Sequence, residues 1–279
     1  MMETATRVWM AAMLIFMLAA CKHTPTAEDQ KRADGNYVVA LAFVHEAQRV
    51  GVAGKLDEQD LKYRQAMKEL LTGARLDPEN SEIQYLLGLV YFVGFRRHAE
   101  AETHLKVAIG LRDDKFPEAD HLLGTVLVDA GKPNEALPFL ERARTSILYP
   151  TPYFAEQEMG WAKYRLERYD EAARHFENAL RAQPDLCGSY TRLADVYEAK
   201  QDYVSARRVL HEFLERCDSD RLRENTGSKL LVYGYFRMGM TLLKVGEAGK
   251  AKTAFSTCVS RFSSEPIAAK CNESLRLLQ

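Results

Sequence analysis

A small residue preceded by a large apolar one recurs along this chain, at Leu87-Gly88, Leu123-Gly124, Met159-Gly160, Leu193-Ala194 and Met238-Gly239. Twelve residues after the small residue, four of these units carry alanine: Ala136, Ala172, Ala206 and Ala251. Four positions further on stands a large apolar residue, Leu140, Phe176, Leu210 or Phe255, and three beyond that Ala143, Ala179, Phe213 or Cys258. The first unit repeats the pattern one residue late, with Ala101, Leu105 and Ala108. No other feature constrains the fold as much. Spacings of three and four put these residues on one helical face, and antiparallel helices approach closely only where a small side chain faces the partner. Such a unit cannot bury its own apolar face, so the units must stack on one another.

The small residues lie 36, 36, 34 and 45 positions apart. The segment Met159–Pro184 resembles the tetratricopeptide repeat (TPR) consensus, down to Tyr169 in the inter-helix turn and the closing proline. Leu193–Leu214 follows it at an offset of 34, with Tyr203 matching Tyr169. The last interval contains an eleven-residue insertion within the polar stretch Asp218–Lys229. Upstream, residues 36–50 and 61–76 read as an earlier helix pair, with 51–57 as an enlarged turn. Downstream, residues 266–278 form an amphipathic closing helix. The resemblance implies an all-α, right-handed TPR superhelix over residues 36–279, with six helix pairs and a C-terminal capping helix.

The amino-terminal segment has a different character. Val8 to Ala20 is an uninterrupted apolar run behind Arg7, and thirteen helical residues reach only about 20 Å, short of a ~30 Å hydrocarbon core. That pattern is a secretory signal peptide over residues 1–20. Its end, Leu18-Ala19-Ala20-Cys21, resembles the lipobox of bacterial lipoproteins and implies lipidation of Cys21. Residues 21–35 contain almost nothing apolar and read as a lipidated flexible tether. Lys22 stands where inner-membrane lipoproteins often carry aspartate, so the resemblance implies the outer membrane, facing the periplasm.

Four cysteines remain: Cys187, Cys217, Cys258 and Cys271. In an exported chain an even number raises the prospect of disulfides. Cys187 begins the first helix of its unit and Cys217 ends the second, so an antiparallel hairpin makes them neighbours. Cys258 and Cys271 flank the turn at Ser263-Ser264 in the same way. The expected bridges are Cys187–Cys217 and Cys258–Cys271, the alternative being four buried thiols. No close C-x-x-C pair points to a metal.

Charge and motifs narrow the function. Lys plus Arg (38) balances Asp plus Glu (39), which gives no long-range pull toward nucleic acid or anionic lipid. The basic clusters Arg96-Arg97-His98 and Arg207-Arg208 read as solvated helix faces, and His104 and His175 as solvated surface on second helices. The sequence contains no H-E-x-x-H, no G-x-S-x-G and no glycine-rich phosphate loop, and nothing places a nucleophile beside a base. The expectation is a protein without cofactor that binds another protein.

In a TPR array first helices line the concave face, and positions five, nine, twelve and thirteen of each unit face the groove. These positions hold Tyr85, Leu89 and Phe92, then His121 and Thr125, then Gln157, Trp161, Tyr164 and Arg165. Exposed aromatics of this kind anchor interfaces, whereas packing between repeats would make them core. The insertion is a second candidate contact.

Lipobox, short tether and about six TPRs together resemble the type IV pilus pilotins, most closely over Leu137 to Phe213. There Leu148-Tyr149-Pro150 follows a second helix, and Tyr203-Val204-Ser205-Ala206-Arg207 resembles the family's Y-x-x-A-R stretch. The resemblance implies a lipoprotein that helps a pilus secretin subunit localise and assemble. The enlarged first turn, the insertion and the four cysteines depart from that family. Other envelope adaptors, serving outer-membrane-protein assembly or cell-wall enzymes, fit the same outline.

Overall fold

The computed structural model describes residues 24–278, so the signal segment and Cys21 lie outside the described residues. Every regular element among those residues is helical. The chain divides into two compact units that part between Val90 and Tyr91.

The first unit holds α1 (Ala27–Val52), α2 (Leu56–Leu76) and α3 (Ser81–Leu89). The first helix begins nine residues before Asn36, which moves residues 27–35 out of the expected tether and into the fold. The cause is local. The Thr26 side chain accepts a hydrogen bond from the Asp29 amide (3.1 Å) while the Asp29 carboxylate accepts one from the Thr26 amide (3.1 Å), a reciprocal cap that starts a helix. Ala33, Ala40, Val44, Ala47 and Val50 then recur at helical spacing and are buried. Asn36 donates to Glu69 (2.7 Å) and Asn80 to Asp34 (3.1 Å), tying the early turns of α1 to the other two helices. The enlarged turn expected over 51–57 shrinks to residues 53–55, because both flanking helices run further than their apolar pattern alone indicates. Pro78 disfavours helical backbone at the residue before it, and α2 ends there.

A π-helical turn over Val90–Gly94 follows α3. A π turn accommodates one extra residue within a helix, which accounts for the unit whose Ala101, Leu105 and Ala108 come one position late.

The second unit opens on α4 (His98–Gly110). Four helix pairs follow: α5 (Pro117–Asp129) with α6 (Pro133–Thr145), α7 (Pro152–Arg165) with α8 (Tyr169–Ala182), α9 (Cys187–Ala199) with α10 (Tyr203–Cys217), and α12 (Ser228–Lys244) with α13 (Ala248–Arg261). The insertion carries a short helix, α11 (Arg223–Thr226), and α14 (Pro266–Arg276) closes the series. Each pair turns at a residue with left-handed backbone seven positions after the small residue: Gly131, Glu167, Gln201 and Gly246. Two of the four are not glycine, so the turn is held by the packing of the pair as well as by local preference.

The small residues do what their spacing implies. A Cβ built at Gly124 would sit 2.4 Å from Leu140, one at Gly160 would sit 3.1 Å from Phe176, and one at Gly239 would sit 2.5 Å from Phe255. The large residue sixteen positions on fills the space the missing side chain leaves. Leu140, Phe176, Leu210 and Phe255 are all fully buried, each worth about 1.5–3 kcal/mol over an exposed side chain.

Cys187 is bonded to Cys217, with Cα atoms 5.9 Å apart, and Cys258 to Cys271, at 6.3 Å. The insertion between α10 and α12 is fastened rather than loose. The buried Asp218 carboxylate accepts from Arg261 (2.7 Å), Arg223 (2.9 Å) and Tyr235 (2.7 Å). Burial pushes its pKa up, but the bonds from Arg261, Tyr235 and Arg223 outweigh that and hold it at about 2. Arg221 makes a two-pronged bond to Asp185 (2.8 Å each), and the Thr226 hydroxyl donates to the Cys217 carbonyl (3.0 Å).

Candidate functional site

The first helices of the second unit, α5, α7, α9 and α12, present a row of aromatic and charged side chains. At its centre Trp161 and Tyr164 stack with ring centroids 4.9 Å apart and planes 10° from parallel. They stand one helical turn apart on α7, so the spacing alone brings the rings together. Both are half-buried, with one face against the apolar core. The Arg192 guanidinium, reaching over from α9, lies 5.0 Å above the Trp161 ring, and its Nη1 donates to Glu158 (3.0 Å). Gln157 accepts from the Ser189 hydroxyl (2.8 Å). Trp161 is therefore neither bare in a wet groove nor wholly core.

The pattern repeats one unit on. Arg237 of α12 pairs with Asp195 (2.6 Å) and Glu198 of α9, and Thr241 donates to Glu198 (2.7 Å). The Tyr233 hydroxyl lies 3.2 Å from Asp195 and accepts from Arg237 (2.6 Å). Burial pushes the Asp195 carboxyl above its ordinary range against the pull of Arg237. Burial also works against the charge on Arg237, but Asp195 and Glu198 more than offset it and raise its pKa. Asp195 and Glu198 occupy the same repeat positions as Trp161 and Tyr164, so running the register one unit further along the sequence would have found them. Arg192 and Arg237 share a position too, six into the unit, and each reaches back over the preceding one.

At the α5 end, the His121 ring lies 6.2 Å from Phe154, stacked, and 5.7 Å from Tyr149, tilted. Burial lowers the His121 pKa, which keeps the imidazole neutral at pH 7. Tyr153 and Phe154 extend this aromatic group from the start of α7. Thr125 is half-buried and bonds its own helix through the His121 carbonyl (3.0 Å), and Arg165 is exposed at the end of α7.

Three expectations change. Phe92 is 9% exposed, in the π turn, where His98 and Arg96 pack on its ring, so it does not line a groove. Tyr85 and Leu89 are half-buried on α3 in the first unit, and so are not part of this face of the second. The histidines read as solvated surface have ring or charge partners: His104 stacks on Tyr91 at 5.3 Å and His175 lies 2.7 Å from Glu156. Among the described residues no cluster of three or more His, Cys, Asp or Glu has a metal-binding arrangement. No helix among them is long and apolar enough to cross a membrane.

The tetratricopeptide repeat family model matches residues 53–120 and 158–221. No curated protein matches the sequence. Among solved structures, the chain is similar to PilW, described as a widely conserved type IV pilus biogenesis factor. The identity is 17% and the TM-score 0.68, over 83% of this chain and 97% of that one. It is similar to Pseudomonas aeruginosa pilF at 15% identity and a TM-score of 0.65, over 88% and 99%. The APC/C hetero-tetramer Cut9-Hcn1 also superposes, at 16% identity and a TM-score of 0.60, over 90% of this chain and 47% of that one. At these identities the likeness concerns architecture, and one architecture serves unrelated assemblies. The chain is built of tetratricopeptide repeats and has the all-α tetratricopeptide-repeat fold.

Proposed function

We propose that this chain is an outer-membrane TPR lipoprotein, anchored through Cys21, that binds a type IV pilus secretin subunit and promotes its localisation and assembly. The observation that carries the reading is the match with PilW, a type IV pilus biogenesis factor, and with pilF, in which nearly the whole of each of those structures is covered. Two disulfides suit a protein exported to an oxidising compartment. The site is the first-helix face around Trp161, Tyr164 and His121. Its half-buried aromatics offer apolar area at low entropic cost, and Glu158, Arg192, Asp195, Glu198 and Arg237 are already paired, which favours burial under a protein segment over chemistry on a small substrate.

The test is an affinity pull-down of the tagged protein from envelope extracts, read by mass spectrometry, with Cys21→Ala and Trp161→Ala variants alongside. Recovery of a secretin, with its SDS-resistant multimers lost in a deletion strain, is the expected outcome. Trp161→Ala should weaken capture by about tenfold or more, as an interface anchor does. Arg165→Glu, on an exposed side chain of the same face, keeps the test independent of folding. Recovery of barrel-assembly or cell-wall proteins in place of the secretin would make the protein an envelope adaptor for outer-membrane-protein assembly or cell-wall enzymes.

A further inference from the structure

The second helices of consecutive repeats leave a gap between them, floored by the first helix that lies in between. Between α6 and α8 the gap holds about 320 Å³, over Met159 and Lys163. Between α8 and α10 it again holds about 320 Å³, over Tyr190 and Leu193. Between α10 and α13 it opens to about 830 Å³, over Tyr235, Met238 and Leu242. This last gap is where the repeat interval lengthens from 34 to 45. The insertion between α10 and α12 is pinned by Asp218 and by the bridge at Cys217.

We propose that the groove between α10 and α13 docks an amphipathic helix from a partner protein, with an aliphatic stripe on the floor and carboxylates along its flanks. The walls run over Val204–Leu214 and Glu247–Thr257. Eleven helical residues span about 15 Å, the length over which a guest helix presents apolar side chains at i, i+3, i+7 and i+10. The floor is apolar, and Val204 on the wall is 63% exposed. The rim carries Arg207, Arg208 and Lys250 against Glu212 and Glu247, one positive charge in excess, with Arg208 paired to Glu212 (3.1 Å) and His211 to Glu215 (3.2 Å). Arg207 reaches across the mouth to Glu247, and Lys250 pairs with the same carboxylate. A carboxylate on the guest would meet these cations as Glu247 does, and basic flanks would be repelled. Its walls lie on second helices and its floor on α12, and it shares none of its lining residues with the first-helix face around Trp161.

The probes are two fluorescein-labelled fifteen-residue helical peptides with the same leucine stripe, one flanked by glutamates and one by lysines, titrated against the purified chain by anisotropy. The glutamate peptide should bind in the micromolar range, and the lysine peptide about tenfold or more weakly. Val204→Glu and Arg208→Glu, both on exposed side chains, should each weaken the glutamate peptide by about tenfold. Trp161→Ala should leave it unchanged. Equal binding of both peptides, loss of binding in Trp161→Ala, or no binding up to roughly 100 µM would each overturn the proposal.

Discussion

Alanine at Gly124, Gly160 and Gly239 makes one chemical change at one repeat position, yet the three sites should respond in order. In a helix interior the substitution by itself stabilises by about 1 kcal/mol. Against this stands the room each site offers. At Gly160 the new methyl would lie 3.1 Å from three ring atoms of Phe176, a contact relieved by a few tenths of an ångström. The cost and the gain then roughly cancel. At Gly124 it would lie 2.4 and 2.5 Å from Cδ2 and Cγ of Leu140, so that buried side chain must move as a whole. Overpacking of this kind costs about 1–3 kcal/mol and leaves a net loss of about 1 kcal/mol. At Gly239 three atoms of the rigid Phe255 ring lie 2.5–2.8 Å away, and the net loss should approach about 2 kcal/mol. Urea unfolding followed by circular dichroism at 222 nm reads the order directly, as midpoints falling from Gly160→Ala to Gly124→Ala to Gly239→Ala. Equal shifts at all three, or a gain at Gly239, would refute the argument that the small residue exists to admit the large one sixteen positions later.

Replacing Cys187 and Cys217 together by serine reopens a loop of 30 residues and should cost about 3.6 kcal/mol by the chain-entropy relation. The Cys258/Cys271 pair, enclosing 13, should cost about 2.9 kcal/mol. Midpoints in denaturant measured with and without reductant check both, since reduction opens both bridges of the wild type but only the remaining one in each double replacement. Asp218 titrates at about 2 in the folded chain against an ordinary 3.8, so its contribution is present above pH 4 and is lost as pH falls through 2. After allowance for solvent screening this amounts to about 1–2 kcal/mol. The acid limb of the stability curve should therefore flatten in Asp218→Asn. Arg237→Ala strands Asp195 and Glu198 and should cost about 3 kcal/mol at pH 7, partly recovered at pH 5 as the raised Asp195 carboxyl takes up a proton. A loss that does not change between the two pH values would show that stranded charge is not the cause.

Repeat period, helix content and the pairing of small with large residues are properties of spacing, and spacing is written in the chain. So is the neighbourhood of Cys187 and Cys217, because an antiparallel hairpin of known register puts those two ends side by side. The true start of α1 was within reach as well, since Thr26 and Asp29 make a capping box, but a polar stretch without apolar period hid it. Tertiary structure alone decided how much of each groove residue shows. Trp161, Phe92 and Leu89 sit at groove positions by register, yet one is half-covered by Arg192, one is enclosed in a π turn and one belongs to the other compact unit. Register places a residue on a face of its own helix, but what covers it comes from elsewhere in the fold, Arg192 of the next repeat over Trp161 and His98 with Arg96 over Phe92. The same holds for the gap between α10 and α13. Eleven extra residues announce an insertion, but only the contacts of Asp218 and Cys217 determine that it is pinned against α9, α12 and α13 and does not loop out into solvent.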